Sequence, residues 1–365
     1  MARPASRRNA GKSAKAGKDP VMKETDVLLF TGELADLLEA GMTLGQALGA
    51  LANQGDEGSA QRLVCKDLTD RIVNGEAFSE AVKHHPKTFQ PLYGNMIKAG
   101  ESSGAMIEVL RRLVEHYERN DNIRSKVKGA LIYPCIVLSL GVVGVIGALV
   151  WIIPLFERVF SSMGGSLPLP TRILIGMSDV VIGYGWLMAI SAFGFATWFR
   201  KWVATPAGRL KFDGFKLRMP LVKNIVANGI YASLAFTLKT LLSNGVNVLN
   251  ALRISEETCG NAVIGAALAN ARKRVTDGPS ISGPLAQSGA FPRMMTDMLA
   301  VGERAGNMTA SLEHIGMRYE KDMNRSIAAF TTALEPILIV GVAIVLGFVV
   351  LAILMAVFGM VNAIG

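Results

Sequence analysis

The chain has 365 residues, of which 50% are hydrophobic and 18% charged, and its formal net charge is +9. A mean hydropathy of +0.35 is high for a soluble protein with that many charges, so hydrophobic blocks must alternate with polar ones. The cysteines Cys65, Cys135 and Cys259 are widely spaced, which argues against a disulfide framework and against a cysteine metal site. No apolar segment opens the sequence, and we expect no cleaved signal peptide.

The first 23 residues form a basic arm. They include seven lysines and arginines and one acid, Asp19, and so supply +6 of the net charge. The abundance of alanine, glycine, serine and lysine predicts disorder. We expect a solvated cytoplasmic arm that can touch anionic lipid. Binding to nucleic acid is not predicted, because no aromatic residues are interleaved with the charges.

Three uncharged runs, at 130–153, 180–199 and 336–358, predict transmembrane helices. A helix of 24 residues, such as the first run, is about 36 Å long and crosses a bilayer. Lysines and arginines are concentrated before the first run and after the second, whereas the intervening loop contains only Arg158 and Arg172. The distribution of positive charge therefore predicts a cytoplasmic N-terminus, two cytoplasmic polar segments and a periplasmic C-terminus.

The polar segments are two copies of one unit. Residues 37–48, LLEAGMTLGQAL, align with 241–252, LLSNGVNVLNAL, and residues 96–110, MIKAGESSGAMIEVL, align with 298–312, MLAVGERAGNMTASL. Apolar residues recur at helical spacing in both copies, and no hairpin signal appears. The sequence therefore predicts an all-α membrane protein with two homologous cytoplasmic helical bundles and three transmembrane helices.

In chain order, the predicted organisation comprises the disordered arm at 1–23, a first cytoplasmic unit at 24–129, a transmembrane helix at 130–153, a periplasmic loop at 154–179, a second transmembrane helix at 180–199, a second cytoplasmic unit at 200–335, a third transmembrane helix at 336–358 and a short periplasmic tail at 359–365.

The stretch GESSG, Gly100 to Gly104, matches the G-x-S-x-G pattern of a serine-hydrolase nucleophile elbow. The second copy reads GERAG, with Arg304 where Ser102 stands in the first, so the serine is not shared. The residues before the stretch look helical, whereas a nucleophile elbow follows a strand. Both copies keep G-E-x-x-G, which predicts a tight break between two helices. We expect Glu101 and Glu303 in the first turn of the following helix, facing its positive dipole end.

Glu335 stands directly before Pro336 at the start of the third uncharged run. One interpretation is an ionisable group used in the membrane, either as a proton relay or as a partner contact. The other makes Glu335 the N-cap of the third transmembrane helix, with Pro336 at its first position. The aligned residues of the first copy are Tyr133 and Pro134. A tyrosine suits an interfacial anchor better than a relay, so the sequence favours the capping role.

The repeat, the G-E-x-x-G turn and the proline at each membrane entry together resemble the type II secretion system F family. These are inner-membrane platform proteins of type II secretion and type IV pilus machines. The resemblance runs from about Phe30 to the C-terminus and is carried by LLEAGMTLGQAL, GESSG with Tyr133-Pro134, LPLPTR, MPLVKNI and FPRMMTDMLAVGERAG with LEP. The chain departs from the family in two features. A short basic arm stands where many members have a longer segment, and Ala356 stands where a proline is usual.

The resemblance implies a non-enzymatic homo-oligomer of the bacterial inner membrane that needs no cofactor, no metal and no nucleic acid. It also implies contacts with a cytoplasmic secretion or pilus-assembly ATPase, with other inner-membrane platform proteins, and with pilin or pseudopilin subunits that are extracted from the bilayer into a filament. The signature residues are assigned structural roles, and none is catalytic: Gly100, Glu101, Gly104, Tyr133, Pro134, Gly302, Glu303, Gly306, Glu335 and Pro336. The alternatives are a small multi-span transporter or permease subunit and an intramembrane hydrolase. Whether the machine is a secretion system, a pilus or a DNA-uptake fibre stays open.

Overall fold

The computed structural model describes residues 20–54, 58–155, 158, 169–220, 222–275 and 280–364. Helix dominates this part of the chain, which contains no strand, as the sequence predicts. Most of the predicted basic arm and much of the predicted periplasmic loop lie outside the described residues.

The helices of the described chain are numbered here in order. They are α1 (Glu24–Glu39), α2 (Leu44–Gln54), α3 (Ala60–Val73), α4 (Phe78–Ala81), α5 (Pro91–Ser103), α6 (Met106–Gly147), α7 (Leu169–Ala204), α8 (Pro206–Arg218), α9 (Lys223–Ser243), α10 (Val248–Thr258), α11 (Ala262–Val275), α12 (Ser282–Gln287), α13 (Arg293–Arg304) and α14 (Met308–Ile364). A short 3₁₀ turn, Val82–His84, follows α4, and a π-helical turn, Ala148–Ile152, follows α6.

One compact unit consists of the described residues up to Asp121 together with Thr237–Thr258. Helix α2 packs against α1 and α3, and α4 packs against α5. Apolar residues at helical spacing turn inward and form a core from which water is excluded. The largest fully buried side chains of this core include Phe30, Leu34, Leu48, Leu51, Leu68, Tyr93, Leu110 and Leu113.

Helix α10 belongs to the second repeat by sequence, yet it packs against α5 in this first unit. Its buried face consists of Ala251, Leu252, Ile254 and Ser255. The turn before it is held by Arg112 of α6, whose guanidinium donates to the Ser243 carbonyl oxygen at 3.0 Å and to Asn244 Oδ1 at 3.0 Å. The segment predicted at 200–335 is therefore not a single compact body, because part of it finds its apolar contacts in the first unit.

The other compact unit consists of the described residues of Asn122–Phe236 and of the chain from Cys259 onward. Helix α11 packs against α8 and α12, and α13 packs against α12 and α14. Farther along, α7 packs against α14, and an apolar cluster joins them to the π-helical turn. The cluster consists of Ala148, Leu149, Ile153, Leu174, Ile175, Val349 and Ala352. Thr171 Oγ1 donates to the Ala352 carbonyl oxygen at 2.8 Å, so a polar contact also fixes α7 against α14.

Four helical stretches of the described chain are long and apolar enough to cross a membrane. They are Met106–Leu155, Leu169–Ala204, Lys223–Ser243 and Met308–Met355. The first and second contain the predicted transmembrane segments 130–153 and 180–199, and the fourth contains the predicted segment 336–358 up to Met355. The third, α9, was not predicted. Half of the most apolar window of α9 is buried inside the structure, against 17% for each of the others. Because its apolar side chains are partly covered by the protein itself, α9 exposes less apolar surface than the other three helices for a bilayer to cover.

Candidate functional site

In each repeat a G-E-x-x-G sequence lies where a short helix meets a long one. Helix α5 ends at Ser103 and α6 begins at Met106, whereas α13 ends at Arg304 and α14 begins at Met308. The predicted break between two helices is therefore present in both copies. We call these two places the first junction (residues 100–106) and the second junction (residues 302–308).

The two glycines of each junction have different physical roles. Gly104 and Gly306 have φ angles of +70° and +66°, which residues with a Cβ rarely adopt, and they end the shorter helix. Gly100 lets the two helices approach closely, because a Cβ there would lie 3.2 Å from Val109 Cβ. At Gly302 a Cβ would lie only 2.6 Å from Ser311 Cβ. Each junction is thus tight because one glycine turns the chain and the other admits the neighbouring helix.

The junction glutamates do not lie where the sequence predicts. Glu101 is in the last turn of α5 and Glu303 in the last turn of α13, so the expectation of a first-turn position in the next helix is wrong. Each carboxylate instead reaches the N-terminus of a helix about 22 residues earlier. Glu101 accepts hydrogen bonds from the backbone N–H groups of Phe78, at 2.6 Å, and Ser79, at 3.3 Å, at the start of α4. The predicted attraction to a helix dipole is retained, but the helix is a different one.

Glu303 makes the denser contact of the two. It accepts hydrogen bonds from the backbone N–H groups of Ile281 and Ser282 at the start of α12, and from the hydroxyls of Ser280 and Ser282. Burial alone would raise the pKa of Glu303, but these hydrogen bonds to the ionised form outweigh it and hold the pKa below its ordinary value. The ionised carboxylate is therefore a structural tie between α13 and α12.

The serine of GESSG has none of the surroundings of a nucleophile. Ser102 Oγ is exposed and donates to the Lys98 carbonyl oxygen of its own helix at 2.9 Å. A nucleophilic serine needs a general base within hydrogen-bond reach, and its hydroxyl proton here points back along α5. The geometry agrees with the sequence in giving this serine an incidental role.

The His84-His85 pair takes part in an ion-pair network. His85 Nε2 lies 2.8 Å from Asp67 Oδ2, and His84 Nε2 lies 3.0 Å from Glu76 Oε1. Arg71 bridges the two acids, donating to Asp67 Oδ2 at 2.7 Å and to Glu76 Oε2 at 3.3 Å. In the part of the chain that the structure describes, no group of His, Cys, Asp and Glu has a metal-binding arrangement. The network ties the loop after α4 to helix α3.

Glu335 and Pro336 lie in the interior of α14, a helix of 57 residues. The prediction that Glu335 caps the start of a new helix is therefore wrong, because the helix that begins at Met308 continues into the apolar run without a break. Pro134 is likewise inside α6. A proline in a membrane-entering helix is tolerated where neighbouring groups or interfacial water satisfy the freed carbonyl. Glu335 is exposed, so its role as an ionisable or partner-contacting group stays a hypothesis.

A groove of about 350 Å³ runs between the apolar parts of α6 and α14. Its lining is aliphatic, with Gly141 and Gly341 among the residues that form it. At Gly141 a Cβ would lie 3.1 Å from Val342 Cγ2, so this glycine allows the two helices to approach. Such close approach through small residues is the usual way in which helices associate in a membrane.

A family model for the type II secretion system (T2SS) protein F matches the chain over residues 30–154 and 234–356. The two matched segments correspond to the two repeats, and each includes the apolar part of one of the long helices, α6 in the first and α14 in the second. The chain belongs to the T2SS protein F family. As a member of that family, it has the role of an inner-membrane platform protein in secretion or pilus assembly.

Similar proteins come from both kinds of machine. The chain is 33% identical over 341 residues to the type IV pilus assembly protein PilC of Myxococcus xanthus, covering 93% of this chain and 81% of that protein. It is 33% identical over 338 residues to PilC of Thermus thermophilus, covering 92% and 83%. It is also 33% identical over 342 residues to the type II secretion system protein F of Pseudomonas aeruginosa, covering 93% and 84%. Equal identity to both groups leaves the choice between secretion and pilus open.

The structure of this F-family chain also shows a residue that sequence reasoning missed. Asp213 of α8 has a side chain only 4% exposed, and Lys216 Nζ lies 2.6 Å from its Oδ1. Its Oδ2 accepts a hydrogen bond at 2.9 Å from the backbone N–H of Ala262, which begins α11. A carboxylate at a helix N-terminus is favourable. The partner lies 49 residues away in sequence, so no local pattern could have indicated it.

Proposed function

We propose that this chain is the inner-membrane platform that couples a cytoplasmic secretion or pilus-assembly ATPase to the extraction of pilin or pseudopilin subunits from the bilayer. It acts as a homo-oligomer, beside other inner-membrane platform proteins, and has no catalytic activity of its own. The names of its relatives support membership of such a machine. The energy must come from a partner, because no nucleotide-binding signature appears in the sequence.

The observation that carries the coupling proposal is the continuity of the two long helices. Helix α14 has 57 residues, so it is about 85 Å long, and it runs without interruption from the second junction into the apolar run. Helix α6 does the same from the first junction over 42 residues. A continuous helix transmits displacement along its axis, which a flexible linker would absorb. Both repeats therefore have a physical means of carrying motion from cytoplasm to membrane.

The test is to soften α14 between its junction and the membrane without changing its packing. Ala328 and Ala329 are exposed, so the double change Ala328→Gly and Ala329→Gly removes no buried contact and costs about 1 kcal/mol of helix propensity per residue. We expect normal protein levels and normal co-purification with the ATPase but a large loss of filament assembly. The control is the pair Ala328→Ser and Ala329→Ser, which keeps more helix propensity. Filament assembly that is equally good in both variants would contradict coupling through α14.

The proposed topology has the N-terminus and both repeats in the cytoplasm and the C-terminus in the periplasm. It rests on three spans, α6, α7 and α14, with α9 packed inside the protein. The greater burial of α9 supports this assignment. Alkaline phosphatase fused after the last residue tests it, because this enzyme is active only in the periplasm. An inactive fusion beside a stable chain would mean an even number of crossings and would include α9 among the spans.

A further inference from the structure

Helix α7 leaves its uncharged run through a band of aromatic side chains. Phe195 and Trp198 are 63% and 59% exposed, and their ring centroids lie 5.8 Å apart. Phe199 and Trp202 continue the band, with ring centroids 5.9 Å apart, and the first charge after the run is Arg200. Aromatic side chains are enriched where a helix passes from lipid to water. The band is therefore the level at which α7, one of the proposed spans, leaves the bilayer.

A tight corner then turns α8 back along α7. Thr205 Oγ1 donates a hydrogen bond to the Trp202 carbonyl oxygen at 2.7 Å and accepts one from the Gly208 N–H at 3.1 Å. Only glycine fits at position 208, because a Cβ there would overlap the Trp202 carbonyl oxygen. Farther from the corner on both helices, the rings of Phe199 and Phe212 meet edge to face, with centroids 5.5 Å apart. The contacts follow opposite directions along the two helices, so Phe212 lies level with Phe199, the last residue of the uncharged run.

Two sides of α8 are covered by neighbouring helices. The ring of Phe212 covers the side toward α7. On the side toward α11, Asp213 accepts the hydrogen bond from the Ala262 N–H, and a Cβ at Gly214 would lie 3.8 Å from Val263 Cγ2. What remains is an exposed stripe at a spacing of three or four residues, which is one face of a helix. We call it the α8 face, and it consists of Ala207, Lys211, Phe215 and Arg218.

The α8 face combines one large apolar side chain with two cations. Phe215 is 60% exposed at the centre of the face. Lys211 lies one turn before Phe215 and Arg218 one turn after it, and neither cation has an ion-pair or hydrogen-bond partner among the described residues. A helix that lies on a membrane surface typically has this composition, because the ring enters the acyl boundary while the cations stay at the headgroups.

The surroundings of the α8 face contain almost no negative charge. From Val180 to Ser255 the sequence has a single acid, Asp213, whose side chain is only 4% exposed and lies 2.6 Å from Lys216 Nζ. Helix α11, which packs against α8, contains no acid and has three basic residues in its last turn. Seven basic residues lie between positions 200 and 223: Arg200, Lys201, Arg209, Lys211, Lys216, Arg218 and Lys223. A cluster of about four to eight lysines and arginines beside a spanning helix favours anionic lipid.

We propose that the α8 face binds anionic phospholipids of the leaflet in which α7 ends. Lys211 and Arg218 contact the headgroup phosphates, and Phe215 enters the boundary between headgroups and acyl chains. A lipid is favoured over a soluble anion for two reasons. A soluble anion has no use for an exposed aromatic ring, and the ring contact with α7 holds α8 at the level where that helix meets the headgroups. The inference rests on α7 as a span of the proposed function and adds a lipid to its partners.

Energy transfer from tryptophan gives a readout that is local to this surface. Of the four tryptophans, Trp151 and Trp186 are 77% and 65% exposed, so Trp151→Phe with Trp186→Phe removes no buried contact and leaves Trp198 and Trp202 as the donors. The full-length chain in neutral-detergent micelles is titrated with phosphatidylglycerol that carries a dansyl acceptor on its acyl chain, and phosphatidylcholine with the same acceptor is the reference. We expect energy transfer at a lower mole fraction of phosphatidylglycerol than of phosphatidylcholine. The difference should shrink at high salt, because salt screens the headgroup charge.

The two cations of the α8 face are then removed together. Lys211→Gln with Arg218→Gln should raise the half-saturating mole fraction of phosphatidylglycerol about 25-fold, because each cation near an anionic surface contributes about fivefold in affinity. The matched control is Lys66→Gln with Lys98→Gln, which removes the same charge from exposed positions on α3 and α5. This control should bind phosphatidylglycerol as tightly as the parent chain.

A further variant tests the apolar part of the face. Phe215→Ser should weaken binding of phosphatidylglycerol about fivefold, which corresponds to burial of about half of a phenylalanine side chain. Its control is Val73→Ser, because Val73 is 75% exposed and lies on α3. If Phe215→Ser binds like the parent chain and inorganic phosphate displaces the lipid, the surface takes a free anion and the inference is wrong.

The outcomes separate this inference from the proposed function. If the parent chain does not distinguish the two lipids, or if Lys211→Gln with Arg218→Gln binds phosphatidylglycerol like the parent chain, the inference is wrong and the coupling proposal stands. If the same double variant keeps its lipid binding but no longer co-purifies with the ATPase, the α8 face belongs to the motor and the inference is also wrong. If lipid binding follows the expected pattern while the parent chain does not co-purify with the ATPase, the coupling proposal fails and the lipid site stands.

Discussion

Removing the carboxylate of Glu303 should lower the stability of the second unit more than removing the carboxylate of Glu101 lowers the stability of the first unit. Glu303 accepts hydrogen bonds from two backbone N–H groups and two serine hydroxyls, whereas Glu101 accepts from two backbone N–H groups. Both carboxylates end at the N-terminus of a short helix, so the loss of each resembles the loss of an N-cap.

The size of the effect follows from the number of hydrogen bonds. Loss of an N-cap costs about 0.5–2 kcal/mol. A hydrogen bond to a charged group contributes about 1.5–3 kcal/mol net, and less where, as at the half-buried Glu101 and Glu303, water can replace part of it. We expect Glu101→Ala to cost about 1 kcal/mol and Glu303→Ala about 2 kcal/mol. Glu303→Gln keeps the shape but loses the charge and should lie between the wild type and Glu303→Ala. The control Glu118→Ala removes an exposed carboxylate and should change stability by less than about 0.5 kcal/mol.

Two of the natural cysteines allow each unit to be followed separately. Cys65 is buried in the first unit, where burial raises the pKa of its thiol to about 12, and burial also raises the pKa of Cys259 in the second unit. The buried Cys65 thiol should not react until its unit opens, and the half-buried Cys259 thiol should react faster once its unit opens. Two variants of the full chain in detergent, each keeping one of these cysteines, are heated with a thiol-reactive fluorophore. At about 2–4 °C per kcal/mol, Glu303→Ala should lower the Cys259 transition by about 4–8 °C.

If Glu303→Ala shifts the Cys65 transition as far as the Cys259 transition, the tie is not local to the second unit and the prediction is wrong. It also fails if Glu101→Ala has the larger effect. A pH series supplies a further check. The folded pKa of Glu303 is lowered, so its contribution is complete above the unfolded value of 4.5 and is lost as pH falls through the folded value. Glu303→Ala should therefore differ less from the wild type at pH 4 than at pH 7.

Three further results are expected from the same full-length chain. Gly302→Ala should destabilise the second unit by about 2 kcal/mol or more, because a Cβ there meets Ser311 Cβ at 2.6 Å. The control Gly129→Ala places its Cβ in open space in the interior of α6 and should stabilise the chain by up to about 1 kcal/mol through helix propensity; thermal unfolding compares the two. Burial, and then the charge of Arg119, lower the pKa of His116 from 6.5 to about 4. The contribution of the neutral imidazole to the free energy of unfolding is therefore complete above pH 6.5, and the free energy of unfolding should fall by about 3 kcal/mol as the pH drops to 4. His116→Phe should remove this pH dependence. Ser102→Ala should leave protein level and filament assembly unchanged, and a loss of assembly at normal level would restore the enzyme interpretation.

The sequence predicted those features that depend on neighbours along the chain. Gly104 and Gly306 end a helix because a positive φ is a property of one residue, and two aligned copies showed that both repeats need it. The comparison of the two copies also argued against a catalytic role for Ser102, because Arg304 replaces it in the second copy. Helix, apolar run and repeat are all local signals, and together they were enough for the fold class.

The sequence could not predict contacts between distant segments. The partners of Glu101 and Glu303 lie more than 20 residues upstream, at helix starts that no local pattern links to a glutamate. The packing of α10 against α5 could not be predicted either. Homologous repeats lead one to expect that each hairpin packs within its own repeat, and only tertiary contacts place α10 in the first unit. At Pro336 a local rule gave a wrong prediction. A proline usually begins or ends a helix, but α14 continues through Pro336.

The two prolines give α6 and α14 a common mechanical property. A proline inside a helix lacks the N–H that would bond to the carbonyl four residues earlier, here Ala130 for Pro134 and Thr332 for Pro336. In both repeats this weak point lies at the start of the apolar run, where interfacial water can satisfy the carbonyl. Each helix therefore stays continuous along its axis and can still bend where it enters the bilayer. The proposed coupling of a cytoplasmic motor to the membrane needs both properties, because one end of each helix must move while its span stays within lipid.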